Sequence, residues 1–127
     1  QAHKAIGTMP NLFGMKIAES VYTHGHYWLS DLLVYLEKNI ELFDNRISKI
    51  NGLKSMKLSA TYLAWIDFSN TGMSEKDIID KVHRTAGIAA SVGSTFGKGG
   101  EKFMRFNLAC PQAKVIEAIK RLETTFS

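Results

Sequence analysis

The chain has 127 residues, of which 45% are hydrophobic and 22% charged. That is one domain's worth of an ordinary globular composition, and it excludes a disordered chain, which pairs low hydrophobicity with high net charge. The single cysteine, Cys110, has no internal disulfide partner, so a stapled secreted scaffold is excluded and a reduced, cytoplasmic setting is expected. No apolar run approaches the roughly 18 residues of a membrane span, so no membrane partner is expected.

The net charge is +4, from 16 basic and 12 acidic side chains. Residues 1–60 carry seven basic and five acidic groups and residues 61–127 carry nine and seven, so each half is +2. Nucleic-acid binders concentrate charge in a run or on one face, and neither half does so. The start, Gln1-Ala2-His3-Lys4, has no initiator Met and no basic-then-apolar leader, which reads as a processed or truncated chain.

In chain order, Pro10 and Gly14 bracket a helix entry with Asn11 as its N-cap. Ile17, Ala18 and Val21 then suggest a short helix from Lys16 to about His24, with Gly25 as a C-cap reaching positive φ. Trp28, Leu29, Leu32, Leu33, Leu36, Ile40, Phe43, Ile47 and Ile50 recur at steps of three and four. That spacing predicts a long amphipathic helix with one broad buried face, ended by Asn51-Gly52. Met56–Leu58 is a short strand candidate, and Thr61–Phe68, rich in aromatic and branched residues, reads as a buried strand.

Asn70-Thr71-Gly72 is a turn. Ser74 followed by Asp77 resembles a capping box and opens a helix whose apolar face is Ile78, Ile79 and Val82, stopped by Gly87. Ile88–Ala90 reads as a short strand, followed by a glycine-rich stretch from Gly93 to Gly100. Lys102–Ala109 is the next strand. Pro111 fits the first position of a last helix striped with Val115, Ile116, Ile119, Leu122 and Phe126. The expected class is α+β: a small, mostly antiparallel sheet with helices packed on one face, preceded by a long helix.

Alternation along the strand Lys102–Ala109 places Met104, Phe106 and Leu108 on one face and Phe103, Arg105 and Asn107 on the other. An unpaired charge buried in a strand is expensive, so Arg105 needs a carboxylate, a phosphate or solvent. A salt bridge or an open sheet face would satisfy it. So would anion recognition, because a planar guanidinium donates two parallel hydrogen bonds to a carboxylate. The stretch Gly93-Ser94-Thr95-Phe96-Gly97-Lys98-Gly99-Gly100 fails the phosphate-loop pattern, with three residues before Gly-Lys and a glycine after it. It reads as a flexible loop whose glycines allow close backbone approach.

His24 and His26, two apart, would share a face on a strand but lack the further ligands a metal needs, while His3 and His83 stand alone. Cys110 reads as core packing or a helix start. No triad, paired carboxylates or metal-ligand set assembles from the chain.

Thr61–Phe68 (TYLAWIDF), Gly87-Ile88, Gly93–Gly97 (GSTFG) and Gly100–Pro111 (GEKFMRFNLACP) together resemble the C-terminal part of fold-type-I pyridoxal-phosphate-dependent enzymes. The likeness is strongest to the cystathionine β-lyase-like, carbon–sulfur lyase branch of the class I/II aminotransferase superfamily. Pro10–Gly14 and the Trp28–Asn51 helix are similar to the segment leading from the large domain into the small one. The resemblance covers nearly the whole chain, and its last sixty or so residues are the specific part. Val92 stands where the family commonly has proline, and Ser59-Ala60 where it has Pro-x-Gly.

The resemblance implies that Arg105 holds the α-carboxylate of an amino-acid substrate and that Gly93, Ser94, Phe96 and Gly97 form a loop near the active-site mouth. It implies residues 1–27 as the tail of a large cofactor-binding domain and 28–127 as the small domain. It further implies a homodimeric parent enzyme that uses pyridoxal phosphate on cystathionine or cysteine conjugates. The lyase branch would eliminate the β-substituent, and the aminotransferase branch would pass the amino group to a keto acid. The family's cofactor lysine lies upstream of this chain, and neither Lys4 nor Lys98 sits in a matching motif. The 127-residue chain alone is therefore expected to hold no cofactor and to be inactive. The alternative from a different class is a non-enzymatic α+β binding or interaction module.

Overall fold

The structure, a computed structural model, describes residues 10–127; His3 and Lys4 lie outside them. Helix α1 spans Leu12–His24. Asn11 caps it as the sequence predicts, its Oδ1 accepting the Gly14 N–H at 2.7 Å, which satisfies one of the first-turn donors left free by helix geometry. The helix therefore begins at Leu12, directly after the cap and four residues before Lys16. Gly25 differs from expectation: its φ is −83°, in the right-handed region. Its requirement is space, since a Cβ there would come within 2.5 Å of the Val21 carbonyl oxygen.

Helix α2 spans His26–Ile47. The chain divides into two compact units between Tyr35 and Leu36, and the division falls inside this helix. Up to Tyr35, the described residues bury no helical side chain: α1 has none, and Phe13 and Trp28 are 79% and 68% exposed. The broad buried face predicted from Trp28 onward begins only at Leu36 and continues through Asn39, Phe43 and Ile47.

From Leu36 onward, helices and sheet share one core. The sheet has four strands, β1 (Lys54–Ser55), β2 (Leu63–Asp67), β3 (Ser91–Val92) and β4 (Phe103–Asn107), in the order β1-β2-β4-β3. Every pairing is antiparallel. Strand β1 lies two residues earlier than the Met56–Leu58 prediction, although the Met56 N–H still donates to the Trp65 carbonyl. Strand β3 replaces the predicted Ile88–Ala90, because the pairing that defines it, Ser91 with Arg105 and Val92 with Met104, starts only there.

Helix α3, Glu75–Asp80, opens on Ser74, whose Oγ accepts the Asp77 N–H at 3.2 Å and donates to Asp77 Oδ2 at 2.6 Å. Asp is a carbon shorter than the Glu of a standard capping box and reaches the hydroxyl instead of the backbone. The helix widens into one π turn over Lys81–Thr85, with the Ala86 N–H donating to the Lys81 carbonyl, and the chain leaves through Gly87 at φ +64°. Helix α4, Gln112–Phe126, takes Pro111 as its N-cap, one position earlier than predicted.

One face of the sheet packs against α3, α4 and the part of α2 that follows Tyr35. Ala64, Ile66, Met104 and Phe106 of β2 and β4 meet Phe43 and Ile47 of α2, Ile78 of α3, and Val115, Ile119 and Leu122 of α4. Phe43 and Phe106 lie 5.6 Å apart, ring centre to ring centre. Strand alternation and helical periodicity each turn one apolar face inward, and burying those faces together is the main source of stability.

Candidate functional site

The alternation that buries Met104 and Phe106 turns Phe103, Arg105 and Asn107 to the opposite face of the sheet, which no helix of the core covers. Register places Trp65 of β2 directly across from Arg105 on one side, and Ser91 of β3 directly across on the other. Trp65, Arg105 and Ser91 therefore form one row across three strands. All three are half-buried.

The row is ringed by aromatic side chains. Trp65 stacks on Phe103 at 5.6 Å and meets Phe96 edge-on at 5.6 Å. The Phe96 ring lies 4.3 Å from the Arg105 guanidinium carbon, within cation–π range. Of the four arginines in the sequence, three are in ion pairs: Arg46 with Glu123, Arg84 with Asp80, and Arg121 with Glu117. Arg105 has no ion-pair partner among the described residues. Its one polar side-chain contact there is Ser91 Oγ at 3.5 Å, long for a hydrogen bond.

The glycine-rich stretch is a defined turn rather than the flexible loop its composition suggests. A 3-10 turn over Gly93–Phe96 is followed by Gly97, whose N–H donates to the Ser94 carbonyl. The loop closes at its base because Gly93 and Gly100 pass backbone to backbone. A Cβ on either would lie 2.2 Å from the other's carbonyl oxygen, so only glycine fits at both positions. Of the four loop residues singled out in the sequence, Phe96 is brought onto Arg105; Gly93 sets the base, and Ser94 and Gly97 are exposed and shape the turn.

Asn39 lacks an obvious sequence signature. It is fully buried on α2, and its amide nitrogen donates to the carbonyls of Leu108 and Cys110, each at 3.0 Å. It fastens the chain just beyond β4 and so holds the strand that carries Arg105. An amide between Leu36 and Phe43, on the stripe that faces the core, is the available signal. The other candidates are elsewhere. His24 ends α1 and His26 begins α2, so neither lies on a strand. The His83 Nε2 donates to the Ala90 carbonyl at 2.8 Å. Cys110 is half-buried against the core.

Away from the row, ion pairs shift the groups they join. Hydrogen bonds from Arg46 hold the Glu123 carboxyl below the usual carboxylate range. Glu117 is likewise lowered, first by its hydrogen bond from Lys114 and then by the charge of Arg121. No helix among the described residues is long and apolar enough to cross a membrane.

No family model matches the chain. Cystathionine β-lyase PatB of Bacillus subtilis is 32% identical over 118 residues, which is 92% of this chain and 30% of the relative. LL-diaminopimelate aminotransferase of Syntrophobacter fumaroxidans is 37% identical over 78 residues, 58% of this chain and 20% of the relative. The structure of cystalysin from Treponema denticola, which contains a pyridoxal 5′-phosphate cofactor, superposes with a TM-score of 0.88 at 30% identity, over 97% of this chain and 32% of its own. The chain thus spans about 30% of the length of PatB. Its homologues and structural neighbours are pyridoxal-phosphate-dependent aminotransferases and cystathionine β-lyase-like proteins, and the chain is related to them as a C-terminal portion of the class I/II fold.

Proposed function

We propose that this chain is the substrate-carboxylate-binding portion of a longer pyridoxal-phosphate-dependent enzyme acting on amino acids, with Arg105 as the group that grips the α-carboxylate. The observation that carries this is the state of Arg105. It is half-buried on an uncovered sheet face, and it has no carboxylate partner among the described residues while every other arginine has one. A guanidinium placed so keeps its paired N–H donors for a planar anion from outside. Holding the carboxylate fixes the substrate's orientation, and orientation lowers the barrier to whatever bond is broken at its α-carbon.

Arg105's face also carries Leu63, Asp67, Phe103 and Asn107, and Lys54 of β1 stands on it directly across from Asp67. Lys54 is exposed on the edge strand, with β2 between it and the strand of Arg105, so the row itself offers a seat for a substrate carboxylate and no lysine for a covalent cofactor bond. The cofactor is assigned to another part of the longer polypeptide. The exposed apolar side chains before Tyr35, Phe13 and Trp28 among them, support a larger body to cover them. The chain on its own is then inactive. The reaction is elimination of a β-substituent from a cystathionine-like amino acid, or transamination.

The test is Arg105→Ala in the full-length enzyme, with kcat/KM measured on L-cystathionine. The expected loss is about 2–4 kcal/mol, roughly 30- to 1,000-fold, the range for removing one partner of a buried charge pair. An unchanged kcat/KM overturns the role.

A further inference from the structure

An arginine that must receive a ligand's carboxylate faces a conflict. If a resident Asp or Glu orients it, that carboxylate occupies the same N–H donors the ligand needs. If nothing orients it, a flexible side chain with several rotatable bonds has to be ordered on binding, at a cost in entropy. The row around Arg105 resolves this in a different way. The Phe96 ring lies 4.3 Å from the guanidinium carbon, and its partner across the strand is itself aromatic, with Trp65 meeting Phe96 edge-on. A ring attracts a guanidinium through the ring's face and takes none of its N–H donors.

Resting on the reading of Arg105 as the carboxylate clamp, we infer that Phe96 is a positioning residue. Its ring pre-orients the Arg105 guanidinium plane, so that both donor edges are presented to the incoming carboxylate. The loop is built to deliver that ring. Gly93 and Gly100 close its base by backbone contact, the 3-10 turn ends at Phe96, and Thr95 Oγ1 donates to the Val92 carbonyl at 2.6 Å one residue earlier. Phe96 itself is 53% exposed. Core packing therefore does not account for a large apolar side chain at this position, whereas a contact with Arg105 and Trp65 does.

The experiment separates Phe96 from Arg105 with two ligands that differ only in the carboxylate. Calorimetry measures binding of L-alanine and of L-alaninamide to the full-length holoenzyme, and the ratio of the two affinities reports what the carboxylate contributes. In Phe96→Leu the ratio is expected to fall about 3- to 10-fold, the range of a partly desolvated cation–π contact. Phe96→Tyr, which keeps the ring, holds it within about twofold. In Arg105→Lys the ratio collapses, because an ammonium cannot reproduce the bidentate fork. Adding Phe96→Leu to Arg105→Lys then lowers it no further, since Phe96 acts through the guanidinium.

Three results would overturn the inference. If Phe96→Leu leaves the ratio unchanged while Arg105→Lys collapses it, Arg105 is the clamp and Phe96 does not position it. If the double variant falls below Arg105→Lys alone, Phe96 acts on the ligand independently. If Arg105→Lys itself leaves the ratio intact, the clamp reading fails and takes the positioning role with it. Phe96→Met, similar in volume without the ring, repeats the test should Phe96→Leu not fold.

Discussion

The two faces of the four-stranded sheet are made by the same strands and have opposite requirements. Toward the helices, Ala64, Ile66, Met104 and Phe106 are 0–4% exposed, and what matters there is volume and shape. On the other face, one residue further along each strand, Trp65, Arg105 and Ser91 stand half-buried in a row. What matters there is the direction of one charged group. The period of two that hides the first set delivers the second, so a change in register would lose the core and the site together.

Substitutions on each face should therefore separate stability from recognition, and the largest effect belongs to the covered face. Ile66→Ala, at a side chain with no exposure, should destabilise by about 2–5 kcal/mol through lost burial and a residual cavity, read as a lowered urea midpoint. A midpoint unmoved by Ile66→Ala would mean that this face is not the core. Arg105→Ala comes next, with its roughly 30- to 1,000-fold loss of kcat/KM. Its unfolding free energy from urea titration should stay within about 0.5 kcal/mol of the parent, because Arg105 gives up no ion pair. A large stability loss there would blur the division between the faces.

Asn39→Ala joins both sides of the comparison. It strips the Leu108 and Cys110 carbonyls of their buried donor, at about 1–3 kcal/mol of stability. Because those carbonyls follow β4, KM for the amino acid should rise as well. A stability loss with an unchanged KM would confine Asn39 to the core. The smallest effect lies away from both faces, at the pair Arg46–Glu123. The Glu123 carboxyl is held below its ordinary value of 4.5. Its contribution is therefore fully present above that value and is lost as the pH falls through the lowered one. Glu123→Gln should lower Tm by about 2–4 °C at neutral pH and flatten the acid limb of the Tm–pH curve. An acid limb identical to the parent's would show that the pair adds nothing.

Much of the covered face was legible in the sequence. The alternation at Met104, Phe106 and Leu108, the stripe on the last helix, and the caps at Asn11 and Ser74 are local patterns that fix local geometry. Arg105 was legible as a charge needing a partner on the opposite face. Its surroundings were not. That Trp65 and Ser91 flank it depends on strand register, which tertiary packing sets. That Phe96 reaches it depends on a backbone crossing between Gly93 and Gly100 that composition alone presents as flexibility. The Leu36–Ile47 stripe also conceals Asn39, because an apolar periodicity passes over a polar residue whose partners lie some 70 positions away. The helix from Trp28 failed in the opposite sense: its apolar spacing is genuine, but nothing among the described residues before Leu36 buries it.

The Gly93–Gly100 crossing also bears on how such a protein can change over evolutionary time. Because the two backbones touch at the base of the loop, the six residues between them form a detachable tip. Insertions or exchanges in the tip leave the strands paired, because the crossing absorbs them. The residue lying over Arg105 can thus be swapped by point mutation without renegotiating the fold. Selection can retune how firmly a carboxylate is received while the framework that keeps the protein folded stays untouched.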